Sequence, residues 1–163
     1  MKPVKMVVLS LVLVTTAVAA DPAAPASRVS VSSAVSRPPS KGAATNFTGA
    51  ATMTPLFSTT TSTRAAAVSV TFDPGARTVW HSHPAGQQLV VVDGDGWVQQ
   101  WGGQRQALKK GDVVWTPPGV KHWHGATTSS ALTHIAVQEH VDGKVVDWME
   151  PVTDGQYLAQ EKP

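Results

Sequence analysis

The chain has 163 residues, a formal net charge of +2 and no cysteine. That length suits one domain with extensions, and the missing thiols exclude a disulfide framework and thiolate metal ligands. Lys2 and Lys5 supply part of the positive charge, and no later Lys/Arg block could neutralise a row of phosphates, so a nucleic-acid partner is not expected.

Residues 1–20 open with two lysines, continue as an apolar stretch from Met6, and end in Ala-Val-Ala-Ala. This is the layout of a secretory signal peptide, cleaved after Ala19 or Ala20. The run is short of the roughly 20 apolar residues of a bilayer span. A periplasmic or secreted protein, with no membrane attachment after cleavage, is therefore expected. Residues 21–45 are rich in Ala, Ser and Pro and poor in large apolar groups, the composition of a disordered leader. From Asn46 apolar anchors return. Phe47, Leu56 and Phe57 are expected to pack an arm against the domain or a neighbouring subunit. The domain itself is read over 46–157, with a tail at 158–163.

Short alternating segments then follow one another at strand spacing. Ala66–Phe72 places Val68, Val70 and Phe72 on one face, and Asp73–Gly75 is a turn. Arg77–His83 alternates as one strand, with Val79, His81 and His83 on one side and Trp80 and Ser82 on the other. Gln87–Val92 is a strand, Asp93–Gly96 reads as a tight turn, and Trp97–Trp101 leads to Arg105–Leu108 across Gly102-Gly103. Val113–Thr116 and Ala131–His140 complete the strands. One turn of helix near the C-terminus is expected to pack Trp148 and Tyr157. The class is all-β, a sandwich or barrel, and the six tryptophans favour tight packing and a subunit interface.

His81 and His83, two residues apart on a strand, share a face with Cα atoms about 7 Å apart, so both imidazoles can reach one cation. Gln87 starts the next strand after a Pro-Ala-Gly turn, and its parity with Leu89 and Val91 favours it over Gln88. His122 follows the Pro117-Pro118-Gly119 turn, and His124 shares its parity. A set without carboxylate leaves the full charge on a divalent ion, which makes it a stronger electrophile. Nitrogen and oxygen donors of this kind fit Mn(II), Fe(II), Co(II), Ni(II) or Zn(II). On Ala131–His140 the residues Leu132, His134, Ala136 and Gln138 share one face, which places polar groups inside the barrel.

The spacing Gly75-x5-His81-x-His83-x3-Gln87-x6-Gly94 resembles the first cupin motif, with glutamine at the usual glutamate position. Gly111-x5-Pro117-x-Gly119-x2-His122 resembles the second, with Ala126 where asparagine is frequent. The resemblance covers about Asn46–Tyr157 and implies a single cupin barrel, the double-stranded β-helix or jelly-roll, with a metal inside. Val68–Gln87, Gly111–Ala126, Leu132–Glu139 and Asp142–Tyr157 look more narrowly like the small bacterial cupins of the hydroxynitrile lyase type. That likeness implies a manganese-dependent enzyme cleaving or forming cyanohydrins. Its metal would be held by His81, His83, Gln87 and His122, and His134 would be the acid–base. His124 joins His134 as a catalytic candidate, and Val68, Val70 and Gln138 are expected to line the substrate pocket. A small-molecule substrate and a homodimer or homotetramer are also expected. Two other readings stay open, an Fe(II)-dependent dioxygenase and a non-catalytic ligand-binding cupin.

Overall fold

The computed structural model describes residues 28–159, so the signal peptide and most of the tail lie outside the described residues. The chain divides into two units, Met1–Val31 and Ser32–Pro163, and the barrel belongs to the second. Its strands are β1 (Ser40–Lys41), β2 (Phe47–Thr48), β3 (Ala51–Phe57), β4 (Ala65–Phe72), β5 (Arg77–Thr78), β6 (His81–Ser82) and β7 (Gln87–Gln100). They continue as β8 (Arg105–Lys109), β9 (Val113–Thr116), β10 (His122–Ala126), β11 (Leu132–Glu139) and β12 (Asp147–Trp148), before the helix α1 (Asp154–Leu158). The main path runs β1-β3-β4-β11-β7-β10-β5-β2 and curls into a jelly-roll barrel, as the all-β reading requires. β9 and β8 flank the two halves of β7, while β6 joins β10 to β12.

Period-two alternation sets the inside. Leu89 and Val91 on β7, Val70 and Phe72 on β4, and Leu132 and Ala136 on β11 are buried, whereas Gln88 is exposed. Val91, Val70, Phe72 and Leu132 join Phe47, Ala126 and Leu108 in the main apolar core. A second cluster of Trp80, Trp123, Val152 and Tyr157 is closed by α1. Thr153 caps that helix reciprocally with Gln156, and the Tyr157 hydroxyl donates to Ala126 O at 2.8 Å. Buried Arg77 ties the same segment down, donating to Asp154 Oδ1 at 2.6 Å and Val152 O at 3.0 Å. Tyr157 thus packs as expected. Trp148 does not: it sits on β12, away from the helix, with its ring 5.0 Å from that of His81.

Four local expectations are corrected. Asp93–Gly96 is no tight turn, because β7 runs unbroken from Gln87 to Gln100. Against β11 the pairing passes from Thr133↔Asp93 to His134↔Val91, so Val92 is an extra residue and the strand bends there. The positive φ of Gly94 (75°) serves this bend, through which one strand contributes to both walls of the barrel. Arg77–His83 is likewise broken in two. Arg77 to His81 is four steps against three from Gly125 to His122 on β10, so one residue is bulged. Alternation resets there, and Thr78 rather than Val79 lines the cavity. The leader read over 21–45 ends early, since Ser40 and Lys41 pair with Met53 and Thr52. That pairing uses backbone groups on the free edge of β3 and needs no large side chain. Of the three anchors expected to pack an arm, Phe47 is buried but Phe57 is half exposed.

The bend gives a stability prediction. A Cβ on Gly94 would lie 1.9 Å from Ala131 O, in a left-handed conformation that costs an L-residue about 1–2 kcal/mol before any clash. Gly94→Ala is expected to destabilise the protein by more than about 2 kcal/mol, read as a lower denaturant midpoint at unchanged slope.

Candidate metal centre

Four elements aim side chains at one point inside the barrel. β6 brings His81, the turn after it His83, β7 opens with Gln87, and β10 opens with His122. All four are buried. The ligand atoms of His81, His83 and His122 lie within 4.8 Å of one another, the group among the described residues that can hold a metal ion.

The backbone decides which nitrogen each ring presents. His81 Nδ1 donates to Val79 O at 2.9 Å, His83 Nδ1 to Val145 O at 2.7 Å, and His122 Nδ1 to Val120 O at 3.0 Å. With every Nδ1–H engaged, the Nε2 lone pairs are left for a cation, as outer hydrogen bonds to ligating histidines do elsewhere. His83 Nε2 is buried with no partner. His122 Nε2 faces Gln87 Oε1 at 3.2 Å, two acceptors that one cation would satisfy together. The donor set therefore fits a divalent metal.

Burial reinforces this. Desolvation holds His81 and His124 well below the usual imidazole range, lowers His83, and brings His122 and His134 to about 4. All five are neutral at pH 7, with lone pairs available. The sign for stability follows from linkage: between pH 6.5 and about 4 the unfolded chain binds protons that the folded chain refuses. Stability should therefore fall as pH drops through that window. Metal-free protein is expected to show a lower melting temperature at pH 5 than at pH 7, and metal loading should widen the difference because protons compete for the same nitrogens.

Beside the cluster lies a second pair. His134 Nε2 and His124 Nδ1 are 3.1 Å apart, both residues are buried, and His124 Nε2 and His134 Nδ1 have no partner. Phe72 packs on both rings at 5.8 and 5.5 Å. Val68, Val70 and Gln138 line the same cavity, so each expected pocket residue is placed there. Gln138 accepts from Gln87 Nε2 at 3.3 Å. Sequence reasoning missed Thr78, Met53, Val146 and Trp148 on the cavity wall, and the Val145 carbonyl behind His83. The bulge before His81 hid Thr78. The segment 145–148 carries no local signal, because β12 reaches the site only by pairing with β6. A wider groove between β8 and β9 touches the cluster only at His122.

Comparisons with known proteins agree with this geometry. A family model described as "Cupin domain" matches residues 68–137. The (R)-mandelonitrile lyase of Granulicella tundricola is 56% identical over 117 residues, covering 72% of this chain and 89% of that protein. The crystal structure of a cupin-like protein from Thermotoga maritima is 42% identical with a TM-score of 0.68, over 72% of this chain and 90% of the other. A predicted oxalate decarboxylase from the same organism, at 21% identity and a TM-score of 0.60 over 69% of this chain and all of that one, shares the fold. With two histidine motifs meeting inside the barrel and an extended match along it, this chain belongs to the cupin family, in the branch that contains (R)-mandelonitrile lyase.

Proposed function

We propose that this protein is a metal-dependent hydroxynitrile lyase, cleaving an α-hydroxynitrile of the mandelonitrile class into an aldehyde and hydrogen cyanide, or joining the two. The observation that carries the reading is the meeting of an uncharged ligand set with a buried, linked histidine pair in one cavity. His81, His83, Gln87 and His122 would hold the metal. A divalent cation there supplies Lewis-acid polarisation of a substrate oxygen and stabilises negative charge developing on it. Manganese(II) is the proposed metal, supported by the thiolate-free donor set and by the likeness to manganese-dependent lyases.

The histidine pair handles the protons. Each neutral ring carries one N–H, so one proton lies between His134 Nε2 and His124 Nδ1 and the other sits on one of the two outer nitrogens. In cleavage His134 Nδ1 takes the hydroxyl proton as the carbon–carbon bond to the nitrile breaks. The bonding pair leaves with cyanide, and the carbinol oxygen becomes the aldehyde oxygen. The proton between the rings shifts, and His124 Nε2 returns one to cyanide, so one enters and one leaves. Phe72 and Val70 keep water from the pair, while Val68, Met53 and Trp148 offer an apolar wall to the organic substituent. We further propose export to the periplasm or beyond, on the strength of the N-terminal pattern.

The test is elemental analysis joined to a mandelonitrile cleavage assay on the isolated, chelated and manganese-reloaded protein. Benzaldehyde release that disappears on chelation and returns on reloading is expected. Full cleavage without metal overturns the reading, as does oxygen uptake on a phenolic substrate with no benzaldehyde released from mandelonitrile.

A further inference from the structure

Gln87 and Gln138 stand opposite each other in register on β7 and β11. An amide has two unlike ends, and only the oxygen has lone pairs for a cation. Gln87 Oε1 points at His122 Nε2, whose ring proton is already committed to Val120 O on the far side. Without a cation two lone pairs face each other there, which by itself would favour turning the amide over. What holds it this way round is Gln138, whose Oε1 accepts from Gln87 Nε2. We propose that Gln138 is a positioning residue that selects the oxygen-inward rotamer of Gln87, an inference that rests on the metal reading above. A carboxylate at position 87 would need no such partner, since both of its ends are oxygen.

That asymmetry supplies the test. Manganese dissociation constants are measured by chelator competition for the wild type, Gln138→Leu, Gln138→Glu, Gln87→Glu and the Gln87→Glu/Gln138→Leu double variant. Losing an outer partner of a metal ligand weakens binding by about 10–100-fold, so Gln138→Leu should fall in that range. In the Gln87→Glu background the same substitution should cost no more than about twofold, because no amide remains to flip, and Gln138→Glu, which still accepts, should bind at least as tightly as wild type. Equal losses in both backgrounds would mean that Gln138 acts through packing, and no loss in the wild type would mean that it orients nothing. Either overturns the proposal while leaving the metal reading intact; a wild type that binds no metal overturns both.

Discussion

Replacing His81 with alanine is expected to strip the protein of its metal and lower cyanohydrin cleavage by at least about 100-fold, more than loss of an outer-shell partner costs. His81 is the most enclosed of the three clustered histidines by its neighbours, with ring centroids 4.2 Å from His122, 5.1 Å from His83 and 5.3 Å from His124. Its Nδ1–H is spent on Val79 O, so the ring has one role left, to offer Nε2. Alanine removes one of only four donors, all uncharged, and no carboxylate lines the cavity to replace it. Strand pairing does not depend on the imidazole, so the far-UV circular dichroism should stay as in the wild type while elemental analysis finds little metal after dialysis. A variant that keeps stoichiometric metal and wild-type turnover would remove the cluster from the chemistry.

His134→Ala should separate binding from proton transfer. The residue lies outside the ligand set, on β11, and touches it only through His124. Metal content should therefore persist while turnover falls by about 10²–10⁴-fold, the usual contribution of a positioned general base. His124→Ala should behave similarly, and the double variant should lose little more than either single one, because the pair passes its proton as a unit. The pH profile carries the same signature. Burial brings His134 to about 4, so the base stays unprotonated down the acid side of neutrality and activity should hold through pH 6.5, where an exposed histidine would already be titrating. Full turnover by metal-loaded His134→Ala, or a rate that halves near pH 6.5, would assign the proton step elsewhere.

The Gln87 amide and the uncharged cluster form one argument. Three neutral imidazoles and an amide cancel none of a divalent cation's charge, which strengthens its pull on a substrate oxygen but leaves the site without a carboxylate to help retain it. The structure answers the retention problem through orientation: three backbone carbonyls point the imidazoles and Gln138 points the amide. Such fixed outer partners hold the donors ready before any ion arrives.

Side-chain direction was readable from the chain alone wherever a strand is regular. Parity chose Gln87 over Gln88 and placed Leu132, His134, Ala136 and Gln138 on one face, since successive residues of a strand must point to opposite sides. Motif spacing named the clustered histidines for the same local reason. Where a residue was inserted, local rules misled. Gly94 does take a positive φ, but whether such a glycine reverses a chain or only bends it depends on what lies opposite, here the Ala131 carbonyl. The tertiary structure alone decided that Val145 would hold His83, that Trp148 would lie against His81, and that His124 and His134 would share a proton. Those contacts join residues from 10 to more than 60 positions apart. Their distances are set by strand register and by which edges pair, quantities that no side chain's own neighbours in sequence can encode.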